Sequence, residues 1–228
     1  MTDMEDWDLY LVTEKSLSAG RQTIEVVKRA VAGGIDVIQL REKKMTTRDK
    51  YHLGGQIKEV IAGTGIDLII NDDLGLAQAL DADGVHLGVN DMPVDRAREI
   101  LGPNKLIGYS TSKFNKIETA INQGVDYIGF GAIYETNSKQ NLREEKNGVG
   151  LDRLSNASNK FDIPLVAIGG IDRTNIAQVK KAGADAIAMI TEITRANNVQ
   201  ERVMELKKKI IGVINNDTNE RSKSRRNN

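Results

Sequence analysis

Apolar residues in this chain gather into short runs, and five of the runs are introduced by one phrase: a small residue, an aspartate, then the apolar stretch. The phrase appears as GGIDVIQL at 33–40, TGIDLII at 64–70, DADGVHLG at 81–88, QGVDYIGFG at 123–131 and AGADAIAMI at 182–190. Three further runs lack the aspartate in that place: DLYLVT at 8–13, LIGYST at 106–111 and PLVAIGG at 164–170. Together they make eight stretches, short and rich in Ile and Val, as strands buried on both faces should be.

Helical patterns fill the intervals. Ile24, Val27 and Val31 form one apolar stripe, with Gly33 or Gly34 where a C-cap belongs. Leu53, Ile57 and Ile61 form another, and Thr46-x-x-Asp49 reads as its start. Pro93 suits the first turn of the segment carrying Val94, Ala97 and Leu101. Asp172 can cap the segment holding Ile176 and Val179, and the last helix is expected from about Val199 to Ile214. Strands alternating with helices, in units of about 25 residues, argue for a parallel α/β fold. Eight units favour a closed barrel over a doubly wound sheet. The expectation is a single (β/α)8 TIM barrel over residues 1–215, followed by a polar, disordered tail at 216–228. One interval breaks the rhythm: IYETNSKQNLREEKNGVG, between the sixth and seventh strands, is long and polar, as functional or mobile loops are.

Composition narrows the function. Lysine plus arginine equals aspartate plus glutamate at 32 each, so no overall field draws nucleic acid or a membrane surface. Any bound anion must be held by local groups. The chain has no cysteine, which removes disulfides, thiolate metal sites and cysteine nucleophiles. Two histidines, His52 and His86, are too few for a histidine-rich metal site. The acidic N-terminus lacks a basic leader and a long apolar segment, which makes a cytoplasmic protein the default expectation. The tail DTNERSKSRRNN reads as disordered in preference to an RNA-binding arm.

Active sites of such barrels lie at the carboxyl ends of the strands. After the second run come Gln39, Leu40, Arg41, Glu42 and Lys43; alternation puts Gln39, Arg41 and Lys43 on one face, Leu40 and Glu42 on the other. With Gln39 pointing into the mouth, two cations rise above it, which suits a diphosphate. Asn71 and Asp72 follow the third run and Asp91 lies beyond the fourth. Two carboxylates from separate loops are suitable hard ligands for Mg2+. Ser110 ends the fifth run, and Thr136, Asn137, Ser138 and Lys139 lie on the long loop. The last two runs end in Gly169-Gly170 and Ile190-Thr191, at the frequent phosphate site of this fold. Each residue also has a plainer reading. Asp72 and Asp91 can cap helices, Arg41 and Lys43 can be solvated charges, and Gly169-Gly170 can be a tight turn. His86 reads as a packed, hydrogen-bonded barrel residue rather than a base.

With these residues assembled, the chain resembles the thiamine-phosphate synthase family from YLVTE at 10–14 to ITEIT at 190–194. The distinctive stretches are QLREK at 39–43, ND at 71–72, ADGVHLG with DMP at 82–93, GYST at 108–111, TNSK at 136–139 and AIGGI at 167–171. The resemblance implies an enzyme that joins a hydroxymethylpyrimidine diphosphate to a thiazole phosphate, giving thiamine phosphate and diphosphate. It implies that Gln39, Arg41, Lys43, Asn71, Ser110 and Lys139 hold the pyrimidine diphosphate, with Leu40 and Glu42 in the same binding segment. Asp72 and Asp91 would bind Mg2+. Thr136, Asn137, Ser138, Gly170, Ile190 and Thr191 would hold the thiazole phosphate. Arg41, Lys43, Ser110 and Lys139 are the expected catalytic set. The implied partners are these two small phosphorylated substrates, without nucleic acid or membrane, and a homo-oligomer is compatible with them.

Three departures from the family pattern stand out. Val89 stands where a glutamine is usual, two residues before the second metal aspartate. The stretch GP-x-(F/Y)-P-T-x-T-K reads here as GAIYETNSK, which loses both prolines, brings in Glu135 and replaces a threonine with Ser138. Thr191 replaces a serine. Both hydroxyls survive; the lost prolines reduce loop rigidity. Three rivals remain: a thiazole tautomerase of the same superfamily, another phosphate-binding barrel such as a sugar-phosphate isomerase, and a non-catalytic barrel that binds thiamine precursors. Retention of both aspartates and of QLREK speaks against the tautomerase.

Overall fold

In the computed structural model the described residues are 4–136 and 148–224. Strand and helix alternate as expected: β1 (Leu9–Val12), α1 (Thr23–Ala32), β2 (Val37–Leu40), α2 (Thr47–Ile61), β3 (Asp67–Asn71), α3 (Leu74–Ala79), β4 (Gly84–Leu87), α4 (Val94–Leu101) and β5 (Leu106–Ser110). The second half continues with α5 (Phe114–Asn122), β6 (Tyr127–Gly131), α6 (Leu151–Lys160), β7 (Leu165–Ile168), α7 (Ile176–Lys181), β8 (Ala186–Met189), α8 (Thr191–Thr194) and α9 (Val199–Ser224). The eight strands are parallel and close in sequence order, β8 pairing with β1. The fold is a (β/α)8 barrel.

Strand alternation divides the apolar residues into two layers. Tyr10, Val12, Val37, Ile69, Leu106, Tyr127, Val166, Ala186 and Ala188 face inward and fill the barrel. Their neighbours Leu9, Leu11, Ile38, Leu40, Leu68, Ile70, Val85, Ile107 and Ile128 face outward, against the helices. Most strands are therefore buried and largely apolar on both sides, which explains why the runs show little polar alternation; β4 is the exception, with Gly84 and His86 inward.

The aspartates of the recurrent phrase stand at the amino ends of the strands, away from the mouth. Asp36 Oδ2 accepts from the backbone N–H of Asp8 and Leu9, at 3.1 and 2.9 Å. Asp83 accepts from Leu68 N (2.8 Å), Asp126 from Ile107 N (2.6 Å) and Asp185 from Leu165 N (2.8 Å). Each carboxylate before an even-numbered strand thus ties down the start of the preceding odd-numbered strand. These backbone donors lie at the barrel rim, where an unmade hydrogen bond is costly. Asp67 differs: it faces inward and accepts from Trp7 Nε1 at 2.8 Å, closing the floor.

Helix ends follow the expected chemistry with some shifts. Thr46 caps α2, its hydroxyl accepting from Asp49 N at 3.1 Å. Pro93 precedes α4 as its N-cap residue, one position before the first turn. Asp172 does not cap α7 directly. Its Oδ1 accepts from the N–H of Thr174 and Asn175, shaping the turn that leads to a helix starting at Ile176. The last helix continues past the expected end at Ile214 to Ser224, so the start of the expected irregular tail is helical backbone; residues 225–228 lie outside the described residues. Among the described residues no helix is long and apolar enough to cross a membrane.

Candidate active site

The carboxyl ends of the strands gather most of the polar residues expected to act together. Gln39 is buried and inward, level with Val12 and Ile69 on the neighbouring strands. Arg41 and Lys43 continue that face upward, as alternation requires. The Arg41 guanidinium is ion-paired with Glu14 at 3.1 Å, and the Arg41 backbone N–H donates to Thr13 Oγ1 at 3.1 Å. Glu14 was not singled out from sequence; its position two residues beyond Val12, on the inward parity of β1, is the signal that marks it.

Leu40 and Glu42 are not brought to the mouth by their side chains. Leu40 packs in the outer core. Glu42 is buried and accepts from Lys15 N at 2.8 Å and Thr23 Oγ1 at 2.6 Å, which fixes the loop after β1 to the start of α1. Neither side chain therefore faces the mouth; Leu40 packs under the helices and Glu42 braces the loop after β1.

Asp72 and Asp91 do meet. Asp72 has φ of 65°, a left-handed backbone uncommon outside glycine. Its N–H donates to His86 O at 2.9 Å, and the Asp73 N–H closes the turn on Asn71 O at 2.8 Å. The capping work falls to the next residue: Asp73 Oδ1 accepts from Leu76 N at 2.9 Å. Asp72 is thereby released from the helix and aimed across the rim. Asp91 likewise caps no helix. Its Oδ2 accepts from Gly88 N at 2.7 Å, and a Cβ on Gly88 would stand 3.0 Å from that oxygen.

The two carboxyls lie within hydrogen-bonding reach of each other. Partial burial, and then the facing Asp72, push the Asp91 carboxyl above its ordinary range; the Gly88 N–H and the Lys43 ammonium pull the other way. Lys43 Nζ is 3.5 Å from Asp72 Oδ2. Two acids and one base at such range form a group that a divalent cation would relieve of repulsion. Val89, which replaces the usual glutamine, is 59% exposed beside them.

A second cluster lies inside the mouth. Ser110, at the end of β5, is 2.7 Å from His86 Nε2, and His86 Nδ1 is 3.1 Å from the Tyr127 hydroxyl. Tyr127 is 3.1 Å from the Tyr10 hydroxyl, which receives the Gln39 amide N–H at 2.8 Å. Burial raises both phenols well above their ordinary value, so they stay protonated. His86 is indeed a packed, hydrogen-bonded residue. Its link to Ser110 could not be read from sequence, because it depends on strand register.

On the other side of the mouth a cavity is lined by Thr136, Gly169, Gly170, Ile190 and Thr191. Both glycines have positive φ, 101° and 66°. Side chains there would collide with the loop after β6: a Cβ on Gly170 would come within 2.6 Å of Tyr134 Cβ and 2.7 Å of Glu135 O. The glycines thus serve a turn and a close approach at once. Asn137, Ser138 and Lys139 lie outside the described residues.

A parallel barrel with a diacid, two cations and a glycine-lined cavity at its carboxyl rim defines an enzyme-like barrel suited to phosphorylated ligands. The comparisons make the class specific. Residues 9–193 match the family described as thiamine monophosphate synthase. Over 195 residues the chain is 48% identical to thiamine-phosphate synthase of Haloarcula marismortui, covering 86% of this chain and 92% of that one. It is 41% identical to the same enzyme of Clostridium botulinum over 86% of this chain and 94% of that one. Thiamine phosphate pyrophosphorylase from Pyrococcus furiosus superposes with a TM-score of 0.83 at 33% identity, covering 92% of this chain and 98% of that one. The chain belongs to the thiamine-phosphate synthase family.

Proposed function

We propose that this protein condenses hydroxymethylpyrimidine diphosphate with thiazole phosphate to give thiamine phosphate and diphosphate. The observation that carries the reading is the meeting of Asp72, Asp91 and Lys43, from three separate loops, at the carboxyl rim of the barrel. Family membership supports the same reaction.

Asp72 and Asp91 fit Mg2+: both are hard oxygen donors, and the share of the Asp91 shift that comes from Asp72, second to burial, is the kind a cation removes. When bound there, the ion would neutralise charge gathering on the departing diphosphate. This chain's own residues do the rest. Arg41 and Lys43 supply positive charge to the same leaving group, and Ser110 supplies a hydrogen bond. Gln39, deeper in the mouth, orients the pyrimidine end. The C–O bond to diphosphate breaks with both electrons leaving on oxygen, and the thiazole nitrogen lone pair forms the new C–N bond. No strong base or covalent nucleophile is required, consistent with the absence of cysteine. Thr136, Gly170, Ile190 and Thr191, with Asn137 and Ser138 beyond the described residues, would hold the thiazole phosphate so that nitrogen and methylene meet before water arrives. Lys139 is assigned to the diphosphate on the resemblance alone.

The test is direct. Purified protein is incubated with both precursors and Mg2+, and thiamine phosphate is followed. Formation that stops with chelator and resumes with Mg2+ is expected. Binding of both precursors without product would instead favour a precursor-binding barrel, and turnover of a thiazole carboxylate phosphate in chelator a tautomerase.

A further inference from the structure

The buried polar chain inside the mouth has a direction. Gln39 Nε2 carries only donors, and it gives one to the Tyr10 oxygen at 2.8 Å. Tyr10 has a single proton, and its other partner is Tyr127, 3.1 Å away. The direction that leaves no buried hydroxyl proton unmatched has Tyr10 donating to Tyr127, and Tyr127 in turn to His86 Nδ1 at 3.1 Å. A neutral imidazole that accepts at Nδ1 carries its proton on Nε2. That proton is directed to Ser110 Oγ at 2.7 Å. Ser110 accepts from the ring, so its own proton points away from it, towards the rim where Arg41 and Lys43 stand.

We propose that His86 is a positioning residue for the reaction: held as its Nε2–H form by Tyr127, it fixes Ser110 as a hydrogen-bond donor to the leaving diphosphate. The inference rests on the synthase reading above. The physical advantage lies in alignment and cooperativity. Successive donors in a dry interior polarise one another, and the aligned chain ends at the oxygen that meets the anion. A serine free to rotate would have to be oriented by the substrate itself; here the orientation exists beforehand.

The sequence is arranged around this ring. A Cβ on Gly108 would fall 2.5 Å from His86 Nδ1 and 2.1 Å from Tyr127 Cζ. A Cβ on Gly129 would fall 2.7 Å from His86 Cε1. Two inward strand positions are thus kept empty so that the imidazole and phenol lie across them, with ring centroids 5.5 Å apart. Burial keeps both phenols protonated, so the donors persist throughout the working pH range.

The experiment exploits the presence of only two histidines. Nitrogen-15 NMR of the full chain, with His86 assigned by comparison with His52→Gln, reads the tautomer directly and without any turnover. The Nε2–H form is expected at assay pH; a ring protonated at Nδ1, alone or together with Nε2, would overturn the proposal. In parallel, inorganic diphosphate is used as a competitive inhibitor of wild type, Tyr127→Phe, Ser110→Ala and the double variant. Tyr127→Phe should weaken inhibition about tenfold, as expected for one hydrogen bond to a charged group. In the Ser110→Ala background it should add less than twofold, because the path it acts through is already cut. Independent, multiplying losses, or no loss in Tyr127→Phe, would count against the proposal even if wild type makes thiamine phosphate. A wild type that makes none would sink the synthase reading instead, while the tautomer result stands on its own.

Discussion

Glu14 Oε2 lies 3.1 Å from Arg41 Nη1, both side chains almost wholly buried at the inner rim. The pair joins adjacent strand ends, and Ser16 Oγ holds the other Glu14 oxygen at 2.8 Å. Arg41 is therefore delivered to the mouth in one fixed pose. Its charge is directed by the protein before any anion arrives, which is what preorganised stabilisation requires.

Glu14→Gln should release that pose and leave a buried guanidinium without its counter-charge. A loss of roughly 3 kcal/mol in unfolding free energy is expected, at the lower end for a broken buried pair. The KM for pyrimidine diphosphate should rise about tenfold, one lost charge-assisted contact. Urea unfolding and steady-state kinetics check both; an unchanged KM would assign Glu14 to stability alone.

Asp91 carries a carboxyl raised above its ordinary value of 3.8 by burial and by Asp72. A raised folded pKa means that the native state favours the protonated form. In the metal-free protein the resulting destabilisation is present above the raised pKa and disappears as pH falls through it. Mg2+ needs the ionised form, so its affinity should weaken over the same fall, which begins higher than for an ordinary carboxyl. Asp91→Asn should keep the acceptor for Gly88 N, retain or slightly raise the melting temperature without metal, and lose at least about a hundredfold in Mg2+-dependent turnover. Calorimetric titration with Mg2+ at several pH values, together with melting curves, tests both signs.

Gly129→Ala places a methyl 2.7 Å from the His86 ring. Overpacking of this kind costs about 1–3 kcal/mol, and the ring must shift from Ser110. Turnover should fall more than tenfold while circular dichroism stays native. Gly108→Ala, whose Cβ meets the ring of Tyr127 at 2.1 Å, should be the more damaging of the two for stability.

Asp126 works at the opposite end of the barrel, accepting from Ile107 N at 2.6 Å and pairing with Arg98 at 2.5 Å. Asp126→Ala should cost about 2 kcal/mol by leaving a strand-end N–H unmatched. The melting temperature would drop several degrees for a chain of this size, about 2–4 °C per kcal/mol. Activity at low temperature should be unaltered. Asp126→Asn, which keeps an acceptor, should recover part of the stability, and a change in turnover for either variant would contradict the separation of floor from mouth.

The sequence by itself determined the strands and their parallel order, because burial on both faces leaves short continuous apolar runs between helical stripes, and it put Gln39, Arg41 and Lys43 on one shared face. It also determined that Asp72 and Asp91 sit on loops at the reactive end. It did not separate the two uses of aspartate. Asp36, Asp83, Asp126 and Asp185 clamp strand starts, Asp73 caps α3, and only the left-handed turn at Asp72 turns its carboxyl towards Asp91. Nor could it show that Glu42 faces a neighbouring helix, or that His86 touches Ser110 and Tyr127. Those relations depend on strand register and on closure of the barrel, which bring residues distant in sequence within hydrogen-bonding range; local patterning carries no record of that distance.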